Sequence, residues 1–383
     1  MQSYKNQQFH LINKFKHYLN RYDKKFYEPE KNSIFYPASY AECIGSYILK
    51  KHSLQKLNFF HNCKIILKDT LYCLKYRKID NIKIKNNFSY ERLIITWAFR
   101  NNFKKDGSID DRYFNINSKK TKNTLWFVIY QGEKKPLKID KNIVLFNPLS
   151  NKINISNLFL LIIKNLRFIT SINYFLSSIS NYNYFSKIFI KNVSPYINNN
   201  LKTLILPYEG QPFQNKLIQF VKKKNLNIKT IGYIHSPPLA LPSNFIYKNY
   251  SPQKIIVNGQ DQLKCFSKIL GWKKSDIIFE PSFRFVKKKT IKNKIIFLPL
   301  NIKNIDNVIK SLIFLNKKKL INLKDFEVRN HPASTKSKKN LIAEKEINKI
   351  INDLKKNKVY KKKEIDYSIF IGTSGSIIEA LEN

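Results

Sequence analysis

The chain has 383 residues, 43% of them hydrophobic, with 28 Phe and 22 Tyr. That is ample for one large core or two and excludes general disorder. Its 70 Lys and Arg outweigh 26 Asp and Glu to give a net charge of +44, yet eight of the basic residues are Arg. Planar recognition of bases and phosphates favours Arg, so a lysine-coated surface is read ahead of a dedicated nucleic-acid groove. Lys, Asn, Ile, Phe and Tyr share A/T-rich codons, and codon drift accounts for much of the charge. Anionic partners would still be attracted at low salt.

Cys43, Cys63, Cys73 and Cys265 form no CxxC pair and no metal spacing with His, which fits free thiols in a reducing cytosol. The N-terminal stretch has no apolar core of a secretory signal. The most apolar run, "LFLLII" at 158–163, is interrupted by Lys164 and Arg167, far short of the roughly 20 residues a membrane span needs.

Residues 1–85 alternate apolar and basic residues without strand periodicity and are read as short helices. From residue 90 the rhythm is strand, turn, helix. Strands are expected at 92–99, 124–130 and 142–148, and a long helix at 155–195. Within it, 155–178 either lies on a membrane surface or is a buried helix. Strands at 203–209, 229–235 and 254–259 follow, with helices at 211–225 and 260–270. Residues 284–294 are charged and read as a linker. The rhythm then restarts, with strands at 294–300, 326–332 and 366–372, helices at 304–318 and 338–356, and a last helix opening at "SGSIIEALEN".

Nearly continuous apolar strands alternating with helices predict parallel sheets covered on both faces. The expected architecture is α/β with two Rossmann-like domains facing a cleft. Residues 1–85 form a helical N-terminal region, 86–288 an acceptor-side domain and 289–383 a nucleotide-sugar-binding domain. The second series has three or four strands and stops in mid-helix at Asn383. An incomplete second domain is therefore expected, and activity in this form is left open.

Ligands of open α/β sheets bind outside the carboxyl ends of strands, and five segments fall there. In "YEG", Glu209 ends an apolar strand; it is either a general base or a charge complementing the next helix N-terminus. In "GYIHSPP", His235 ends the next strand, as an acceptor contact or a structural loop residue. "DGSIDDRYF" at 106–114 places Asp110 and Asp111 in an acid-poor chain, as a substitute base, an acceptor-side loop or a solvated turn, without metal-ligand spacing. His331 with Pro332 ends a later strand, where a histidine can donate to a phosphate or simply cap a turn. Finally, Thr373, Ser374 and Ser376 open a helix, suited to holding an anion or to plain capping. Glu379 lies further along, reaching a ribose or facing solvent. No Walker sequence, GxGxxG or GxSxG elbow occurs.

Glu-Gly, His-Pro and a Ser/Thr cluster in this order resemble the GT-B bacterial sialyltransferases and polysialyltransferases, whose first motif is acidic-acidic-Gly. Here its first position is Tyr208. The segments 106–130, 208–218, 232–238, 254–259, 328–334 and 366–381 are similar to surface carbohydrate biosynthesis proteins of bacterial polysaccharide clusters. The resemblance implies a metal-independent, cytoplasmic glycosyltransferase without a cofactor, at or near the inner face of the membrane. Its partners would be a nucleotide-sugar donor, with a CMP-sugar favoured, and a glycan or lipid-linked acceptor. By resemblance Glu209 is the general base, His331 contacts the donor phosphate and assists its departure, and Pro332, Thr373, Ser374 and Ser376 hold the same phosphate. Two alternatives stay open: a polyol-phosphate transferase using a CDP-glycerol-type donor, and a non-enzymatic basic protein binding nucleic acid or anionic lipid.

Overall fold

A computed structural model describes residues 88–132, 134–147, 181–224, 227–235, 245–247, 249–283, 294–299, 304–330, 338–356 and 367–371, with His10, Asn13, Ile163 and Ile302 singly. The expected helices of 1–85, apart from single residues, most of the 155–195 helix and the 284–294 linker up to 293 lie outside these residues. So do His331, Pro332, Thr373, Ser374, Ser376 and Glu379. The chain divides into two compact units, Met1–Val286 and Lys287–Asn383.

The first unit is built on seven parallel strands: β1 (Arg92–Ala98), β2 (Thr124–Tyr130), β3 (Ile143–Phe146), β4 (Thr203–Pro207), β5 (Lys229–Tyr233), β6 (Lys254–Val257) and β7 (Ile277–Phe279), in the order β3-β2-β1-β4-β5-β6-β7. The three-residue β7 is too short to stand out in the sequence. Every residue of β2 is buried, as a strand covered on both faces requires. The two faces part with the period-two alternation of a pleated strand. Leu125, Phe127 and Ile129 enter one cluster with Leu93, Ile95, Phe189 and Phe213, while Trp126 and Val128 enter another with Ile94, Ala98 and Ile109.

Helix α1 (Asn181–Val193) and helix α2 (Pro212–Lys223) pack on the first face. The second face beside β1 and β2 is closed by the β1–β2 connection, whose Ile109, Phe103, Phe114 and Ile116 pack onto Trp126 and Val128. Helix α3 (Gln260–Lys268) follows β6 and packs near β7, where Phe266 joins Tyr208, Ile255 and Trp272 in a further core.

The strand order is doubly wound: it runs outward in one direction from β1 to β3 and in the other from β4 to β7. The switch falls between β1 and β4, and such a point leaves a crevice at the carboxyl ends of the two strands.

The second unit holds the parallel strands β8 (Ile295–Phe297), β9 (Glu327–Arg329) and β10 (Ile369–Phe370), in the order β10-β8-β9, with helices α4 (Ile305–Lys317) and α5 (Lys338–Lys356). Its core gathers Ile296, Leu298, Leu312, Phe326, Ala343, Ile347 and Ile351. The strands are shorter than the sequence runs that announce them, because apolar patterning continues past the last ladder bond. Among the described residues no helix is long and apolar enough to cross a membrane.

Candidate active site

Three sequence-singled residues converge at the carboxyl ends of the central strands: Glu209 just after β4, His235 just after β5, and Asp111 in the β1–β2 connection.

The local fold around Glu209 is set by one side chain. Gln214, in the first turn of α2 and fully buried, accepts from the backbone N–H groups of Glu209 and Gln211, each at 3.0 Å. Its Nε2 donates to the Pro207 carbonyl at 2.7 Å. These bonds satisfy donors that a helix N-terminus otherwise leaves unpaired, and they pin the chain from the last residue of β4 to the helix cap. Gly210, between them, adopts φ +66°, a conformation glycine takes without steric cost. Gln211 Nε2 in turn donates to Glu209 Oε2.

The other oxygen of Glu209 faces His235, with Oε1 and Nε2 at 3.2 Å. The carboxylate side chain is 25% exposed and the imidazole 8%. The Tyr113 ring meets the imidazole edge-on, centroids 4.7 Å apart at 86°. Tyr113 itself packs on Trp97, which packs on Phe213 of α2. His235 Nδ1 is buried and has no hydrogen-bond partner among the described residues.

Asp111 is 4% exposed, so the solvated turn considered for this cluster is corrected for this residue. The reason is Ile109, which anchors the connection to the sheet face and carries Asp111 inward. Asp111 Oδ1 accepts from the backbone N–H of Tyr113 at 2.9 Å and of Phe114 at 2.7 Å, and Oδ2 accepts from the buried Thr96 hydroxyl on β1. Burial pushes the Asp111 carboxyl above the usual carboxylate range, against the pull of these donors and of the nearby His235 imidazole.

Asp110 is not part of the convergence. It pairs with Lys104 at 2.7 Å and accepts from Asn117 at 2.8 Å on the outer side of the turn. Tyr208, where the resemblance has an acid, is a core residue: fully buried, its hydroxyl donates to Asn215 at 2.9 Å, and burial pushes its phenol well above the usual range. Glu209 is thus the motif's one carboxylate here.

In the second unit, the described residues stop one residue after β9, at Asn330, and one residue after β10, at Ile371. Both strands are parallel to β8, which lies between them. The carboxyl termini of β9 and β10 therefore lie at the same end of this sheet.

Sequence reading missed Thr96, Tyr113 and Gln214. The Q-x-x-Q spacing of Gln211 and Gln214 at a helix start is a capping signal that points to the last; the other two carry none. Among the described residues no group of three His, Cys, Asp or Glu side chains is placed to hold a metal ion.

No family model matches this chain, and no curated protein matches it. Among solved structures, it is similar to the N-terminal domain of Candida albicans trehalose-6-phosphate phosphatase, at 11% identity and a TM-score of 0.37, over 79% of this chain and 77% of that one. A likeness of that size supports no statement about function. What the strands and the site define by themselves is an α/β protein with a seven-stranded parallel sheet, a second small parallel sheet, and a carboxylate–imidazole pair beside the switch point of the first.

Proposed function

We propose that this chain is a GT-B glycosyltransferase of bacterial surface polysaccharide biosynthesis. It moves a sugar from a nucleotide-activated donor, with a CMP-sugar favoured, to a hydroxyl of a glycan or lipid-linked acceptor. The observation that carries the reading is the Glu209–His235 pair at 3.2 Å, at the carboxyl ends of adjacent strands beside the switch between β1 and β4.

Attack of a hydroxyl on an anomeric carbon needs a base beside the nucleophile, and this pair supplies one. With a single displacement the reaction inverts the anomeric centre. The departing nucleotide phosphate needs positive charge and hydrogen-bond donors where its charge grows. His331, with Pro332, and the hydroxyls of Thr373, Ser374 and Ser376 are assigned to it, and Glu379 to the nucleotide ribose. That the strands preceding the two segments, β9 and β10, end at the same end of their sheet supports that assignment. Asp111 serves the acceptor side by holding the Tyr113 wall of the site. The enzyme works in the cytoplasm, at the inner face of the membrane where lipid-linked acceptors are reached.

The test is turnover by purified protein offered CMP-sugars and diphospho-sugars with acceptor glycans, read as nucleotide release and product linkage. A glycosidic product lost in Glu209→Ala and His331→Ala supports the reading. A phosphodiester product transfers the chain to the polyol-phosphate class. Turnover unchanged in both variants, or binding to nucleic acid or anionic vesicles that falls steeply with salt and involves no turnover, overturns it.

A further inference from the structure

The ladder between β1 and β4 stops at Ile94 and Ile205, although the strands run on to Ala98 and Pro207. The sheet therefore opens at its switch point, at the end where Glu209 follows β4. The Glu209 side chain is partly exposed, so a substrate hydroxyl can reach it. The His235 side chain is buried. Of its ring nitrogens, Nδ1 has no accessible surface and Nε2 faces the carboxylate at 3.2 Å, so neither is offered to a substrate. Two donors instead converge on the carboxylate: Gln211 Nε2 donates to Oε2, and His235 Nε2 stands against Oε1. Two acceptors would repel at 3.2 Å, so Nε2 carries a proton. The burial of Nδ1 agrees, since without a partner among the described residues a bare lone pair is tolerated there better than an orphaned N–H. Tyr113, braced through Trp97 and Phe213, holds the ring edge-on.

We infer that His235 is a positioning residue: its Nε2–H, together with the Gln211 amide, fixes the Glu209 carboxylate as the group that takes the acceptor proton. This rests on the glycosyltransferase reading and divides the roles within its carboxylate–imidazole pair. In the step, the acceptor O–H bond breaks and its proton goes to a Glu209 oxygen, while the hydroxyl's electron pair forms the bond to the anomeric carbon. The bond from that carbon to the phosphate oxygen breaks, and its electron pair leaves with the nucleotide. A carboxylate oxygen can accept two hydrogen bonds, so one donor on each fixes the group without using up its capacity. An unheld glutamate turns about three side-chain bonds, and a base displaced by about 1 Å loses much of its effect. A base oriented by a third group is the general arrangement of nucleophile-activating sites; here the buried imidazole is the orienting group.

The kinetic test compares two replacements in the full chain. His235→Gln keeps an N–H donor near the position of Nε2, and His235→Leu removes it. His235→Leu should lower kcat by about 10–10²-fold, the worth of a hydrogen bond to a charged group, with KM unchanged, and His235→Gln should recover most of the loss. Adding His235→Leu to Glu209→Gln should cost nothing further, because the imidazole acts only through the carboxylate. Equal damage from Gln and Leu in folded protein, or a full further loss in the double variant, overturns the inference. A second measurement needs no substrate and no folded variant at position 235. Proton–nitrogen correlation spectra of the wild-type chain, nitrogen-15-labelled at its six histidines, should show one buried ring protonated at Nε2 whose signal moves in Glu209→Gln. No such ring, or a signal indifferent to Glu209→Gln, overturns the contact. Absence of wild-type turnover with every sugar donor defeats the glycosyltransferase reading and with it the base, while the spectra still decide whether His235 holds the carboxylate.

Discussion

Replacing Gln214 by methionine keeps the side-chain length and removes three hydrogen bonds at once. Its Oε1 accepts from the N–H of Glu209 and of Gln211 at 3.0 Å, its Nε2 donates to the Pro207 carbonyl at 2.7 Å, and the side chain is fully buried. At about 1 kcal/mol each the lost bonds total roughly 3 kcal/mol. Methionine's easier desolvation returns about 1 kcal/mol, for a net loss of about 2 kcal/mol. For a unit of this size that lowers Tm by about 4–8 °C. Trp97, Trp126 and Trp272 are the chain's three tryptophans and all lie in the unit Met1–Val286, so thermal or urea unfolding followed by tryptophan fluorescence reads this unit alone. Gln214→Glu is the companion variant. It keeps an oxygen to accept both N–H bonds but loses the donor to Pro207 when ionised, so its deficit should shrink as acid protonates the introduced carboxyl. A Gln214→Met midpoint within about 1 °C of wild type, on the same scale, would refute the account of the β4–α2 turn as pinned by this side chain.

Gly232→Ala should destabilise by about 1–3 kcal/mol, as overpacking does, because its Cβ would lie 2.8 Å from Tyr208 Cβ and 3.0 Å from Pro252 Cγ; an unchanged urea midpoint contradicts this. Asp111→Asn tests the raised carboxyl. A carboxyl raised in the folded state contributes stability that is greatest below the ordinary carboxylate value, about 4, and is lost as pH rises through the folded value. The midpoint of Asp111→Asn relative to wild type should therefore climb from about pH 4 toward neutrality, and parallel profiles would show that burial does not dominate at this site. Thr96→Val, which strips the hydroxyl donor from Asp111 Oδ2, should cost about 1–3 kcal/mol for a buried acceptor left unpaired; a stability equal to wild type counts against the bond.

The strand content was legible because strands buried wholly or for the most part read as unbroken apolar runs. "TLWFVIY", "TLILP" and "KIIV" announce themselves as parallel without any partner being known. Placing Glu209 and His235 at strand ends followed from the same runs, whose apolar patterning carries each chain one residue past its ladder and stops there. β7 escaped, being three residues long. Asp111 also escaped as a buried group: nothing local tells an acidic turn in water from one folded onto a sheet, and the difference is made by Ile109 reaching Trp126 and Val128 across the β1–β2 connection. Tyr208 was legible as a departure from an acidic motif but not as a core residue, which depends on the gap left by Gly232 in the next strand.

By itself, then, the sequence determined an α/β chain of parallel strands, with a carboxylate and an imidazole each ending an apolar run, because periodicity and strand-end chemistry are local properties. That β4 and β5 lie side by side, so that Glu209 meets His235 at 3.2 Å, was decided only by the tertiary structure. Strand order is a long-range choice made by the packing of both sheet faces, and no stretch of sequence contains it.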